Sequence, residues 1–112
     1  MNEAQKKQAF ALFLGYLERD WVQLPIAVAC ANEAVGFDDR SIVTSEAREF
    51  VTSLFAERGM IAGSVAQNAG FIAWLGSKED RLARVLALMP LGASVQEEYS
   101  VWFDQAERKT PN

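Results

Sequence analysis

Apolar side chains recur at helical spacing in several separate segments of this chain, with charged and polar residues between them. Residues 3–18 contain the first stripe, in which apolar positions fall at i, i+3, i+4 and i+7. Its members are Phe10, Phe13, Leu14 and Leu17. A second segment is apolar almost all round, from Leu24 to Cys30, which predicts a helix at the centre of the fold. Asp20 is its candidate N-cap, and Pro25 suits its first turn.

The third segment has the clearest helix signals. Ser45 is a favoured N-cap residue, and Gly59 tolerates the left-handed conformation that ends a helix. Between them lies an apolar stripe, which consists of Ala47, Phe50, Val51, Leu54 and Phe55. The pattern predicts a helix from Ser45 to Arg58, preceded by a loop that begins at Gly36.

A β-hairpin is predicted directly after this helix. Two β-prone runs, Met60 to Val65 and Phe71 to Leu75, are joined by a short segment, Ala66 to Gly70. Asn68 and Gly70 in that segment tolerate positive φ, as a hairpin loop of about five residues requires.

The C-terminal part of the chain predicts one or two further helices. Ser77 and Asp80 have the spacing of a capping box, which predicts the start of a fourth helix. Ser94 and Glu97 repeat that spacing. The aromatic residues of positions 95–108 fit both helical and strand periodicity, and the cap signal favours a helix. The predicted fold is α+β and mostly α, a single domain over residues 1–112 with three N-terminal helices and a β-hairpin wing.

The order of elements over roughly residues 5–75 resembles the winged-helix superfamily. The resemblance rests on three helices followed by a hairpin, with the third helix ending in Leu-Phe-Ala-Glu-Arg-Gly-Met-Ile. It implies a DNA-reading helix from Ser45 to Arg58 and a wing tip, Ala66 to Gly70, that touches phosphates. A transcriptional regulator that binds DNA is therefore one candidate function.

The charge pattern argues against nucleic acid as the partner. The chain has 15 acidic and 11 basic residues, which gives a net charge of −4. The third helix carries Glu46, Glu49 and Glu57 against Arg48 and Arg58, and no charged residue occurs from position 59 to position 77. Phosphate binding depends on Lys and Arg, so this helix and this wing are poorly suited to DNA. A basic patch elsewhere keeps the alternative open, and its members would be Lys6, Lys7, Arg81 and Arg84.

No catalytic residue, cofactor site or metal site is predicted. The chain has no histidine and one cysteine, which removes histidine-based catalysis and thiolate metal sites. Cys30 stands in an apolar setting and is expected to be a buried small hydrophobe. The Asp38-Asp39 pair lacks the ligand spacing of a calcium loop. No apolar run reaches membrane-spanning length and no signal peptide is recognised, so the expected location is the cytoplasm, without a membrane partner.

An acidic surface together with an uncharged hairpin is typical of a protein-binding module. In character the chain is similar to small bacterial immunity proteins, which are acidic, single-domain and non-catalytic. That resemblance implies an immunity or antitoxin-type inhibitor that occludes a basic protein such as a nuclease toxin domain. The candidate partner-binding residues are Asp38, Asp39, Glu46, Glu49, Phe71 and Trp74. A third alternative is a homodimeric adaptor or assembly factor that pairs through the hairpin edge.

Overall fold

A computed structural model describes residues 1–66, 68–95 and 101–105. This part of the chain is α+β, with four helices and a four-stranded antiparallel sheet, and about half of the protein is helical. The elements are α1 (Glu3–Leu17), β1 (Val22–Gln23), α2 (Leu24–Val35), α3 (Ser45–Arg58), β2 (Met60–Ala66), β3 (Gly70–Ala73), α4 (Lys78–Ala87) and β4 (Trp102–Gln105). None of the helices in the described ranges is long and apolar enough to cross a membrane.

The second helix begins later than its predicted cap. Pro25 lies in the first turn of α2, as predicted, but the N-cap residue is Gln23. Asp20 is too far upstream to cap a helix that starts at Leu24. Its carboxylate accepts a hydrogen bond from the backbone N–H of Trp21 instead, at 2.8 Å. Asp20 as the cap of α2 was therefore wrong.

The third and fourth helices follow the predicted signals closely. The N-cap of α3 is Thr44, whose hydroxyl accepts a hydrogen bond from the backbone N–H of Ala47 at 3.0 Å. Ser45 as the cap was wrong by one residue, because adjacent hydroxyl residues give equivalent sequence signals. Gly59 ends the helix at φ 64°, as predicted, and the predicted capping box of Ser77 at the start of α4 is confirmed.

The sheet has the strand order β1-β4-β2-β3. The predicted hairpin is confirmed as β2 and β3, but Ala66 pairs with Gly70, so the predicted loop of about five residues, Ala66 to Gly70, is wrong at both ends, and the second strand ends at Ala73 and not at Leu75. Strand β4 lies between β1 and β2, where Phe103 is opposite Val22 on one side and Ala62 on the other. The helix predicted for residues 95–108 is therefore wrong at 102–105. The remaining positions of that prediction lie outside the described residues, apart from Val95 and Val101, which are not helical.

A reason for the strand at 102–105 is visible in the core. Phe103 is fully buried, and its ring makes edge contacts with Phe13 and Phe55, with centroids 6.1 and 5.9 Å apart. Hydrogen bonding to two neighbouring strands and aromatic packing outweigh the local helix signals, as tertiary context commonly does. Ser94, predicted to cap a last helix, forms an isolated β-bridge with Ile42.

Candidate functional site

The densest acidic pair of the sequence lies in the exposed loop between α2 and α3. Asp38 and Asp39 are both exposed. One carboxylate oxygen of Asp39 accepts hydrogen bonds from the backbone N–H of Ser41 at 3.0 Å and from its hydroxyl at 2.8 Å. These bonds stabilise the ionised form and hold the pKa of Asp39 below its ordinary value. Asp39 therefore keeps its negative charge at neutral pH.

The fully buried side-chain amide of Asn32 is hydrogen-bonded to the backbone of this loop. The Nδ2 group of Asn32, on α2, donates to the backbone carbonyl oxygens of Asp39, Arg40 and Ile42 at 3.2, 3.3 and 2.8 Å. Its Oδ1 atom accepts from the hydroxyl of Thr44 at 2.7 Å. Both polar atoms of this buried side chain are hydrogen-bonded. The loop is therefore held in one conformation, because any other loop conformation would leave the buried amide without partners.

The same contacts join the acidic loop to the start of α3. Thr44 bonds both Asn32 and the backbone of Ala47, so the loop ends directly at the first turn of the helix. Glu46 lies in that turn and accepts from the Ser45 hydroxyl at 2.9 Å. Hydrogen bonds from Ser45 and from the backbone lower the pKa of Glu46. Glu46 thus carries its charge in the first turn of the helix that follows the loop.

Glu49 is already neutralised within the molecule. Its carboxylate forms an ion pair with the N-terminal ammonium group of Met1 at 2.9 Å. The side chain is half exposed, but its charge has a partner. Among the four carboxylates predicted for partner binding, Asp38 and Asp39 therefore share one exposed loop, Glu46 lies in the first turn of α3, and Glu49 is paired with Met1.

The two aromatic candidates lie on the hairpin, and neither is a freely exposed anchor. Trp74 is 9% exposed and donates its Nε1–H to the hydroxyl of Ser64 at 3.1 Å. The guanidinium group of Arg84 covers its ring at 3.7 Å from the centroid. Phe71 is half-buried and stacks on Trp21, with centroids 6.3 Å apart and an interplanar angle of 24°.

The exposed apolar side chains of this region are ones that the sequence did not single out. Ile72 is 49% exposed, and Leu75 is 97% exposed. Leu75 lies in a segment fixed by Arg81, which donates to the carbonyl oxygens of Trp74 at 2.8 Å and Gly76 at 3.0 Å. Strand alternation predicts that Ile72 and Trp74 lie on the same face. It does not predict that Arg84, in α4, covers Trp74 and leaves Ile72 exposed.

Another exposed aromatic ring lies beside the acidic pair. Phe37 is 43% exposed and directly precedes Asp38. Its backbone N–H donates to the carbonyl oxygen of Asn32 at 2.9 Å, at the C-terminal end of α2. The acidic loop therefore has an apolar group next to its charges.

The cations of α3 are used inside the fold. Arg48 donates to the backbone carbonyl oxygens of Leu86 at 2.9 Å and Met89 at 2.6 Å, at the end of α4. The guanidinium group of Arg58 covers the ring of Phe10 at 4.0 Å. Both arginines of the helix that the winged-helix resemblance assigns to DNA therefore have intramolecular partners.

The predicted alternative basic patch is also largely engaged. Lys6 forms ion pairs with Glu57 at 3.3 Å and Glu3 at 3.5 Å. Arg81 and Arg84 hold Trp74 and the turn after it, as described above. Lys7 is exposed. These contacts reduce the positive charge available to a polyanion.

The interior offers little chemistry. Cys30 is buried, as predicted, and burial together with nearby Glu33 raises the pKa of its thiol from 9.0 to about 12. A thiol with such a pKa is not a nucleophile at neutral pH. Among the described residues, no group of three or more potential metal-binding side chains lies together.

Comparison with known proteins leaves the site to be interpreted from its own geometry. No family model, curated protein or solved structure matches this chain. The winged-helix and immunity-protein resemblances therefore stay predictions.

Proposed function

We propose that this protein is a non-catalytic, protein-binding inhibitor of the immunity or antitoxin type, which acts in the cytoplasm on a basic partner. The acidic loop at Asp38 and Asp39, continued by Glu46, is the surface that meets the partner. It blocks the partner's cationic cleft, where a nucleic-acid substrate would otherwise bind. The observation that carries this proposal is the fixation of the exposed acidic loop by the buried amide of Asn32.

Preorganisation gives such a loop an advantage in binding. A loop that is already ordered loses little conformational entropy when it meets its partner. Its carboxylates attract a cationic surface at long range and accelerate association. Phe37 replaces Trp74 as the apolar anchor in this proposal, because its exposed ring lies beside Asp38 and Trp74 is covered by Arg84.

The alternative of a DNA-binding regulator has less support. A reading helix needs side chains that reach base edges and phosphates. Arg48 and Arg58 are held by α4 and by Phe10, and the carboxylates of Glu49 and Glu57 on the exposed side of α3 are paired with Met1 and Lys6. Binding to phosphates there would require breaking intramolecular contacts and bringing carboxylates close to the DNA backbone.

Affinity capture from the source organism tests the proposal. The tagged wild-type protein should retain a basic protein that the double variant Asp38→Lys, Asp39→Lys fails to retain. The control is Glu18→Lys, Glu79→Lys, which changes the net charge equally on other elements and should retain the partner. Addition of the wild-type protein should then abolish the enzymatic activity of the captured partner.

Two results would contradict the proposal. If no basic protein is retained by the wild type and lost by the Asp38→Lys, Asp39→Lys variant, the acidic loop is not the partner-binding surface. Full activity of the captured partner in the saturated complex would show that binding does not inhibit it.

A further inference from the structure

Strand β3 ends the sheet with unpaired backbone groups. Among the strands that the structure describes, β3 lies at the edge and its neighbour is β2. The backbone N–H of Trp74 donates to the carbonyl oxygen of Ala62 at 3.0 Å, which makes these two residues a hydrogen-bonded pair. Such pairs alternate along an antiparallel ladder, so Ile72 also bonds to β2. The peptide groups of Phe71 and Ala73 therefore point away from the sheet, toward solvent.

Within the described ranges, the edge shows none of the usual protection against pairing with another strand. Edge strands are commonly protected by lysine, proline or a covering element. No charged residue and no proline occurs from position 59 to position 77. The chain is 23% charged, so about four charged residues would be expected in these 19 positions (0.23 × 19). The exposed large side chains at this edge, Ile72 in β3 and Leu75 just after it, are apolar.

We propose that this edge pairs with the same edge of a second copy of the chain, by antiparallel addition of β3 to β3. The proposal goes beyond the inhibitor function and does not depend on it. A neutral edge favours a second copy over a different protein. In a two-fold contact the residue on the axis faces its own counterpart and the residues beside it face one another, so a charge at the centre would meet a like charge, whereas a different partner can supply the opposite charge.

The geometry of β3 selects one register. Phe71 and Ala73 carry the outward peptide groups, so a two-fold axis at Ile72 sets Phe71 of each copy opposite Ala73 of the other. This register uses all four outward donors and acceptors of Phe71 and Ala73 on each copy. Ile72 then faces Ile72 of the second copy in a non-hydrogen-bonded pair, where Cα atoms lie about 4.5 Å apart. The two sheets join into one.

The second interface leaves the acidic loop free. The loop and its bridge from Ile42 to Ser94 lie at the C-terminal end of α4, whereas the turn at Leu75 lies at its N-terminal end. Helix α4, which is about 15 Å long, lies between that bridge and this turn along the chain. The dimer would therefore present two acidic loops.

Charge-pair exchange at Ile72 tests both the surface and the register. Sedimentation equilibrium of the wild-type protein should show a dimer that dissociates on dilution. Ile72→Lys and Ile72→Glu, each alone, should weaken dimerisation about 100-fold or more, because like charges meet across the axis. An equimolar mixture of the two variants should restore the dimer, since the lysine of one copy then faces the glutamate of the other. Leu91→Lys, at an exposed aliphatic side chain outside β3 (63%), is the matched control and should dimerise like wild type.

Each other outcome counts against the proposal. A wild-type protein that stays monomeric at high concentration would overturn it, and strand addition by a different protein would then be the alternative use of this edge. A dimer that survives Ile72→Lys would place the contact elsewhere. A mixture that stays monomeric, with both variants folded by circular dichroism, would refute the register at Ile72.

Discussion

The side-chain amide of Asn32 donates to the backbone carbonyl oxygen of Ile42 at 2.8 Å, across ten residues of chain. Asn32→Ala removes this bond together with those to Asp39, Arg40 and Thr44. We expect a loss of about 2–4 kcal/mol in the free energy of unfolding, because three part-buried carbonyl oxygens and the Thr44 hydroxyl lose their hydrogen-bond partner. Urea denaturation measures this loss, and hydrogen exchange should show faster exchange in residues 37–44.

The control for this variant is Gln8→Ala, at an exposed amide side chain of α1. It should change the free energy of unfolding by less than about 0.5 kcal/mol. Equal effects of the two substitutions would show that Asn32 does not hold the loop.

A pair of glycines gives substitutions of opposite sign. A Cβ atom on Gly63 would lie 2.2 Å from the backbone oxygen of Ile72, so Gly63→Ala should destabilise the protein by about 2 kcal/mol or more. Gly15 lies within α1 with no atom within 4 Å of its added Cβ, so Gly15→Ala should stabilise the protein by about 0.5–1 kcal/mol. Thermal unfolding of both variants measures the difference. A tolerated Gly63→Ala would contradict the close approach of β2 and β3.

Arg48 tests whether α3 uses its cation inside the fold. Arg48→Ala should reduce the free energy of unfolding by about 1–3 kcal/mol, because the carbonyl groups of Leu86 and Met89 lose a charged donor. Hydrogen exchange should accelerate near the end of α4. Arg19→Ala, at an exposed arginine, is the control and should be nearly neutral. If Arg48→Ala leaves the free energy of unfolding unchanged, the hydrogen bonds of Arg48 to Leu86 and Met89 do not stabilise the fold, and the side chain is free to bind a partner.

The buried thiol predicts a pH dependence in the alkaline range. The pKa of Cys30 is 9.0 in the unfolded chain and about 12 in the folded protein, so the unfolded form loses its proton first. The contribution of the neutral thiol is complete below pH 9 and declines above it, by up to about 1.4 kcal/mol per pH unit. Denaturation of wild type and Cys30→Ala between pH 8 and pH 11 isolates this contribution. Parallel stability curves would show that the thiol is not desolvated.

The positions of the cations predict weak binding to DNA. Titration of the protein into fluorescently labelled duplex DNA at low ionic strength should give no saturable change in anisotropy, because Arg48, Arg58 and Lys6 are paired within the molecule. Sequence-selective binding that survives moderate salt would instead support the winged-helix interpretation.

Much of the fold could be predicted because its signals are local. The helix that ends at Gly59, the capping box at Ser77 and the hairpin each depend on residues close together in sequence. Strand β4 could not be predicted in the same way. Its conformation depends on pairing with β1 and β2, which are distant in sequence, and its local composition favours a helix.

In the candidate site, too, local features could be predicted from the sequence and contacts between distant segments could not. Composition indicated the acidic pair at Asp38 and Asp39, and the structure confirms that both are exposed. It could not indicate that Met1 neutralises Glu49 or that Arg84 covers Trp74, because both contacts join distant segments. Asn32 was missed, although a lone asparagine in an apolar helix was an available signal, since buried amides need specific partners.

Stopped-flow association with the captured basic partner tests the central claim most directly. At low ionic strength, the variant Asp38→Lys, Asp39→Lys should associate at least about tenfold more slowly than wild type, and the difference should shrink as salt is added. Glu18→Lys, Glu79→Lys should show a much smaller change. Equal association rates for wild type and both double variants would contradict the assignment of the acidic loop as the surface that meets the partner.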